Sequence, residues 1–128
     1  MEEMIPVHVL ITAPHGTMRS SLNSYLLTLE NVYLHPLLET LADTVLFIKL
    51  IRTDILIVDN ELLKNGGPAS AAAWLREVGK INPRLKIIML VEDSRGIQQA
   101  VDQGVYAAFV KGSIHNHLKD TIISSVSL

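Results

Sequence analysis

The chain has 128 residues, 48% of them hydrophobic and 19% charged, which is the composition of a single compact domain and excludes a disordered or collagen-like segment. Eleven Lys and Arg against 13 Asp and Glu leave a formal charge of -2, so no excess of positive charge is available to neutralise a run of phosphates, and nucleic-acid binding by this segment is not expected. With no cysteine there is no disulfide, thiolate nucleophile or Cys-based metal site, and with no basic n-region and no apolar run near the ~18 residues of a spanning helix, a cytoplasmic location is expected and a membrane one is not.

Val7 to Ile11 is short and β-branched and runs into the breaker cluster Pro14-His15-Gly16, which predicts a buried strand ending near Ala13. Thr17 is the expected cap of a first helix whose stripe is Met18, Leu22, Tyr25, Leu26 and Leu29. Val32 to Leu38 contains His35 and Pro36, and a proline confines a strand there to a sheet edge. Leu41, Val45, Ile48 and Ile51 or Arg52 predict a second helix. Ile55 to Val58, bounded by Asp54 and Asp59, is the pattern of a central parallel strand covered on both faces. Asn65-Gly66-Gly67-Pro68 reads as a turn into a third helix over Ala69 to Val78, which ends before Asn82-Pro83. Lys86 to Val91 is a fourth strand. Ser94 is the expected cap of a fourth helix with Ile97, Ala100 and Val101, closed by Gly104, and Tyr106 to Val110 is a fifth strand. Ile114, Leu118 and Ile122 give the last helix, over Ile114 to Ser125.

Five strands alternating with five helices predict an α/β fold, a doubly wound parallel sheet with helices on both faces, over one domain, 1–128. In such a sheet the chemistry sits beyond the carboxyl ends of the strands, which brings Ala13, Pro14, Asp59, Val91 and Lys111 forward.

At those strand ends the chain resembles the receiver domain of response regulators, over nearly its whole length. Asp54 to Asp59 resembles the family's third strand, and Val105 to Lys111 its fifth. The resemblance implies a flavodoxin-like strand order 2-1-3-4-5, puts Asp59 at the phospho-acceptor position, and makes Lys111 the family-type lysine. Gly67 falls where the family often opens its third helix. Val9 to Ile11 with His15 and Arg19, and Gly112 where chemotaxis-type receivers have proline, make the regulators that carry a helix-turn-helix output domain the nearer subgroup.

The departures from the family pattern carry the functional expectation. Ala13 and Pro14 stand where the family places the acidic pair that holds Mg2+, and neither offers a ligand to an ion that demands hard oxygen donors. Val91 replaces the switch hydroxyl, and Ala108 stands where an aromatic usually reorients with it. A phosphoryl group would therefore lack the metal clamp and rest on Lys111 alone. The expectation is a pseudo-receiver, not an enzyme, with no cofactor. It would work in two-component-type signalling or transcription control, binding a protein partner such as a sensor kinase or regulator, or pairing with itself. The implied surface is the fourth predicted helix, fifth strand and last helix, with Ile97, Val101, Tyr106, Lys111, Lys119 and Ile123. The alternatives are a working phospho-acceptor at Asp59 that drives an attached DNA-binding domain, and a small-ligand-binding α/β domain.

Other residues have plainer expectations. Asp59 is expected to pair with Lys111, and Glu61 and Asp93 to be solvated loop carboxylates. His15 is read as exposed. His115 and His117, two apart, face different ways on a helix and make a poor metal pair. Gly66-Gly67 lacks the rest of a phosphate-binding motif and is read as a turn. Leu63, next to Leu62, stands where receivers commonly have a proline after the acceptor strand, and Leu63 and Trp74 are both expected to pack inward.

Overall fold

A computed structural model of the chain describes residues 5–112 and 117–126. In chain order the elements are β1 (Val7–Thr12), α1 (Thr17–Leu27), β2 (Val32–Leu34), α2 (Leu41–Leu50), β3 (Ile55–Asp59), α3 (Asn60–Lys64), α4 (Gly67–Ile81), β4 (Lys86–Val91), α5 (Ser94–Asp102), β5 (Ala107–Val110) and α6 (Leu118–Val126). All strand pairs are parallel, in the order β2-β1-β3-β4-β5. The doubly wound parallel sheet is the one predicted from the alternation of strand and helix patterns, and its flavodoxin-like strand order is the one the receiver resemblance implied.

The apolar runs are explained by the two layers that cover them. Alternate residues of a strand point to opposite faces. Val9, Ile11, Ile55, Ile57, Ile88 and Leu90 face one side and pack with Leu22 and Leu26 of α1 and Leu118 and Ile122 of α6. Leu10, Leu56, Val58, Ile87 and Met89 face the other and pack with Ile48 of α2, Leu63 of α3, Ala71, Leu75 and Val78 of α4, and Ala100 of α5. Trp74 joins this second layer, and its indole N–H donates to the Leu41 carbonyl at 3.3 Å, tying α4 to α2. Both Leu63 and Trp74 thus pack inward as expected.

The structure revises several local expectations. Asn60–Lys64 is a short helix where a loop was predicted. Asp59 caps it by accepting from the Glu61 N–H at 2.9 Å, and it drives Leu63 into the core. Helix α1 is preceded by Gly16 at the cap position, with Thr17 already helical. Helix α5 is capped by Asp93, which accepts from the Arg95 N–H at 3.0 Å, and Ser94 is its first residue. In both helices the expected cap, a residue with a short polar side chain, stands one place after the true cap. The edge strand is three residues long, because Pro36 interrupts the ladder before the isolated bridge between Thr12 and Leu38. Helix α6 begins at Leu118; Ser113, Ile114 and His115 lie outside the described residues.

At the opposite end of the sheet from the strand-end crevice, β1 and the segment after β2 bring two histidines together. His8 Nδ1 and His35 Nε2 are 3.0 Å apart, within hydrogen-bond distance, with Tyr33 stacked on His8 and Phe47 edge-on to His35. Burial, then the neighbouring His8, lowers the His35 pKa, while the Arg52 backbone and Asp54 oppose this less strongly. A base whose folded pKa is depressed favours the neutral form in the folded state, so its contribution is complete above the unfolded value of about 6.5 and declines as pH falls below it. Urea midpoints measured from pH 7.5 down to pH 5 are expected to fall for the wild type and to fall less for His35→Phe. Equal slopes would show that this pair does not carry the acid sensitivity.

Candidate functional site

The parallel order places the ends of β1, β3, β4 and β5 along one edge of the sheet, where the strand order reverses between β1 and β3. Asp59 is the last residue of β3 and is 2% exposed. Its Oδ1 accepts the Glu61 N–H that starts α3 and lies 2.9 Å from Lys111 Nζ. Lys111 follows β5, and its ammonium also donates to Glu92 Oε1 at 2.6 Å and stands 3.9 Å from Glu61 Oε2. One cation is thus held by carboxylates from three segments of the chain: the end of β3, the first turn of α3, and the residue after β4.

The electrostatics follow from this arrangement. Burial alone would pull the Lys111 pKa down, but hydrogen bonds to Glu92 and Asp59 outweigh it, and the net shift is upward. The same hydrogen bond from Lys111 holds the Glu92 carboxyl below its usual range. An ammonium with several anionic acceptors is kept charged and fixed in place.

The other positions named from the sequence fall around this ion pair. Ala13 is fully buried on the face of the sheet shared with Ile57, and the register of Thr12 against Val58 sets it level with Asp59. Its N–H donates to the Leu38 carbonyl at 3.0 Å, and Pro14 follows it, half-buried. Val91 is 1% exposed and packs under the first turn of α5. Ala108 is partly buried in the same layer. His15 is 84% exposed and hydrogen-bonds Arg19, whose guanidinium is buried and pairs with Glu39 at 3.0 Å.

Asp93 is exposed, as expected; it caps α5 and pairs with Arg95 at 3.0 Å, whereas Glu61 lies in the first turn of α3 and 3.9 Å from the Lys111 ammonium, not in a loop. Glu92, next to Asp93, is the other carboxylate that reaches in, and the sequence reading passed over it. Among the described residues, Asp59, Glu61 and Glu92 are the carboxylates whose ligand oxygens lie within 4.8 Å of one another. The available signal was its place one residue beyond a strand end, the position that had already singled out Ala13 and Asp59.

The space under the α5 turn is tight. A Cβ added at Gly96 would come within 2.9 Å of the Val91 Cβ, which belongs to a rigid β-branched side chain. Gly96→Ala is therefore expected to cost about 1–3 kcal/mol through overpacking, read as a lower urea midpoint. Pairing it with Val91→Ala removes the γ-methyls at 3.2 and 3.4 Å but keeps the Cβ at 2.9 Å. The pairing is expected to relieve only part of the penalty of the Gly96 change, because the Val91 branch no longer resists a small shift.

No protein-family model matches the chain. It is 43% identical over 63 residues to a lipoyl synthase of Shewanella sp. (strain ANA-3), a match that takes in 48% of this chain and 20% of that protein. The chain thus spans only about a fifth of the curated relatives it matches, and the match takes in about half of this chain. Among solved structures it is similar to the non-phosphorylated receiver domain of the stress response regulator RcsB from Escherichia coli, with a TM-score of 0.78, 16% identity, and 93% of this chain and 92% of that one covered. It is also similar to the signal receiver domain of the response regulator NarL from Mycobacterium tuberculosis, with a TM-score of 0.74, 18% identity, and 94% and 95% covered. The fold is therefore that of a response-regulator receiver domain. At these identities the likeness extends to the fold and not to the site.

Proposed function

We propose that the chain is a receiver-type signalling module that works by binding a protein partner, with its strand-end site closed by its own lysine and not by a divalent cation. The observation that carries this reading is the position of the Lys111 ammonium, 2.9 Å from Asp59 and 2.6 Å from Glu92. In the family pattern that the chain resembles, an acidic pair beside the acceptor would hold Mg2+, which would supply charge neutralisation to a phosphoryl group. The residues present here do not fit that ion. Ala13 and Pro14 bring no oxygen ligand from their side chains, and the three carboxylates that could act as ligands already surround a positive charge.

The partner surface in this reading is α5, β5 and α6. Val101, Tyr106 and Ile123 on it are exposed by 48%, 42% and 52%. Ile97 packs partly into the core and Lys111 turns into the strand-end site, so neither contributes to the surface as the sequence reading expected. Tyr106 is held by Lys86, whose ammonium lies 5.3 Å from its ring centroid, and by Ser124 at 3.4 Å.

The test is an amide NMR titration with Mg2+ followed by beryllofluoride, a mimic of the acyl phosphate. A folded spectrum unchanged at Asp59, Val91 and Lys111 is the expected result. Saturable shifts at those residues that spread to Ala108 and α6 would replace this reading with that of a working phospho-acceptor.

A further inference from the structure

At the end of the sheet remote from Asp59, His8 and His35 are held as a pair by both backbone and packing. The His8 N–H donates to Asp54 Oδ2 at 2.8 Å, and the His35 N–H extends the ladder by donating to the Val9 carbonyl at 3.0 Å. His35 is 8% exposed, and its ring is walled by Phe47 at 5.1 Å and Tyr33 at 4.9 Å between centroids. Tyr33 also stacks on His8 at 5.0 Å. The charged groups beside the pair are Asp54 and Arg52, which pair with each other at 3.4 Å. Burial, then His8, holds the His35 pKa down, so its imidazole is uncharged at neutral pH, the form that ligates a metal.

We propose that His8 Nδ1 and His35 Nε2 form a two-imidazole site for a late first-row divalent ion, Ni2+ or Cu2+, which clamps β1 to the segment after β2. The two nitrogens are 3.0 Å apart, and an ion at a usual metal–imidazole distance of about 2.0–2.1 Å from each would see them at roughly 95°. That is the angle between neighbouring ligands of a square-planar or octahedral shell, which suits Cu2+ and Ni2+, whereas a tetrahedral Zn2+ shell needs the nitrogens further apart.

The surroundings suit the same role. The Arg52 backbone raises the His35 pKa, as a carbonyl that accepts from its ring does. With Nε2 facing His8, the donating nitrogen is Nδ1, and this leaves the Nε2 lone pair directed at His8. His8 offers its own Nδ1 lone pair by carrying its hydrogen on Nε2, so the neutral pair takes the ion without releasing a proton. The rings meet nearly end to end, with centroids 5.1 Å apart and planes 33° apart, and a small swing of the half-buried His8 ring admits the ion. Asp54 places a negative charge close enough to raise the His35 pKa and favours a cation there. Water completes the shell from the side of Tyr33, which is 53% exposed. This nitrogen site is independent of the oxygen donors around Lys111 and of the reading placed on them.

The test is an amide NMR titration of the whole chain with Ni2+ at pH 7.5, where the paramagnetic ion broadens the signals nearest to it. Broadening centred on His8 and His35 is the expected result, fading toward pH 5.5 as protons compete for the nitrogens. His8→Phe changes a half-buried residue and is expected to fold, with circular dichroism as the check, and to weaken binding about 100-fold or more. His35→Phe is expected to do the same, and His15→Ala, at an exposed histidine outside the pair, to leave binding unchanged. Three results would overturn the proposal: no broadening at millimolar Ni2+, broadening centred on Asp59, Glu61 and Glu92 or on His15 instead, or broadening at His35 that survives His8→Phe.

Discussion

Replacing Lys111 by methionine is expected to lower the stability of the domain by about 3 kcal/mol and to make it sensitive to divalent cations for the first time. Asp59 is 2% exposed and Lys111 has 19% of its side chain exposed, so the pair they form at 2.9 Å is largely shielded from water. Removing one partner of a buried pair strands the other charge, and that desolvation is the larger part of the loss. The contacts to Glu61 and Glu92 contribute little of it, because those side chains are 62% and 53% exposed and water screens them. Methionine keeps the length and apolar stem, so packing along the side chain is retained. In the double variant Asp59→Asn, Lys111→Met no charge is stranded, and stability is expected to recover part of what the single variant loses. Without Lys111, three carboxylates with oxygens within 4.8 Å of one another face no cation. Mn2+ or Ca2+ is then expected to raise the urea midpoint of Lys111→Met and to leave that of the wild type unchanged. A Lys111→Met protein as stable as the wild type would mean that the ion pair is incidental. The pH dependence has a definite sign. The Lys111 pKa is raised in the folded state, so its contribution is complete below the unfolded value of about 10.4 and is lost as pH rises beyond it.

The fold was legible in the sequence because the strands are buried on both faces. Runs such as Ile55-Leu56-Ile57-Val58 leave no polar side for solvent, and a parallel sheet with two helical layers is the arrangement that hides them. Asp59 and Lys111 were legible for a related reason: Asp59 ends a strand of that sheet and Lys111 directly follows one. Features that depend on register were not. Glu92 meets Lys111 only because β4 and β5 pair with Val91 against Val110, which brings the residues that follow side by side. His8 meets His35, and Thr12 meets Thr44 in a buried hydrogen bond of 2.6 Å, across 27 and 32 residues of sequence. No local pattern encodes such pairs. Helix α3 escaped notice because five residues are too few to show a stripe, and it depends on its Asp59 cap and the burial of Leu63.

Ala13→Asp is expected to destabilise the domain by on the order of 3 kcal/mol at neutral pH, and millimolar Mg2+ is expected to return part of that loss. Ala13 is fully buried and level with Asp59 on the adjacent strand, so the new carboxylate would enter a site that already holds one buried negative charge. Lys111 offers little relief, because its ammonium is committed to Asp59 and Glu92. Protonation is the alternative to a counter-ion, so the penalty is expected to shrink as pH falls toward 5, opposite in sign to the wild-type trend set by His35. A divalent cation is a hard acid that two adjacent carboxylates suit, and any binding confined to the folded state adds stability in proportion to the logarithm of its concentration. Urea midpoints of the variant and the wild type, each with and without Mg2+, separate the explanations. A gain confined to Ala13→Asp would assign the loss of metal affinity to the missing β1 carboxylate. Equal gains in both proteins would mean that Asp59, Glu61 and Glu92 already hold the ion, and the reading of Lys111 as its replacement would have to be given up.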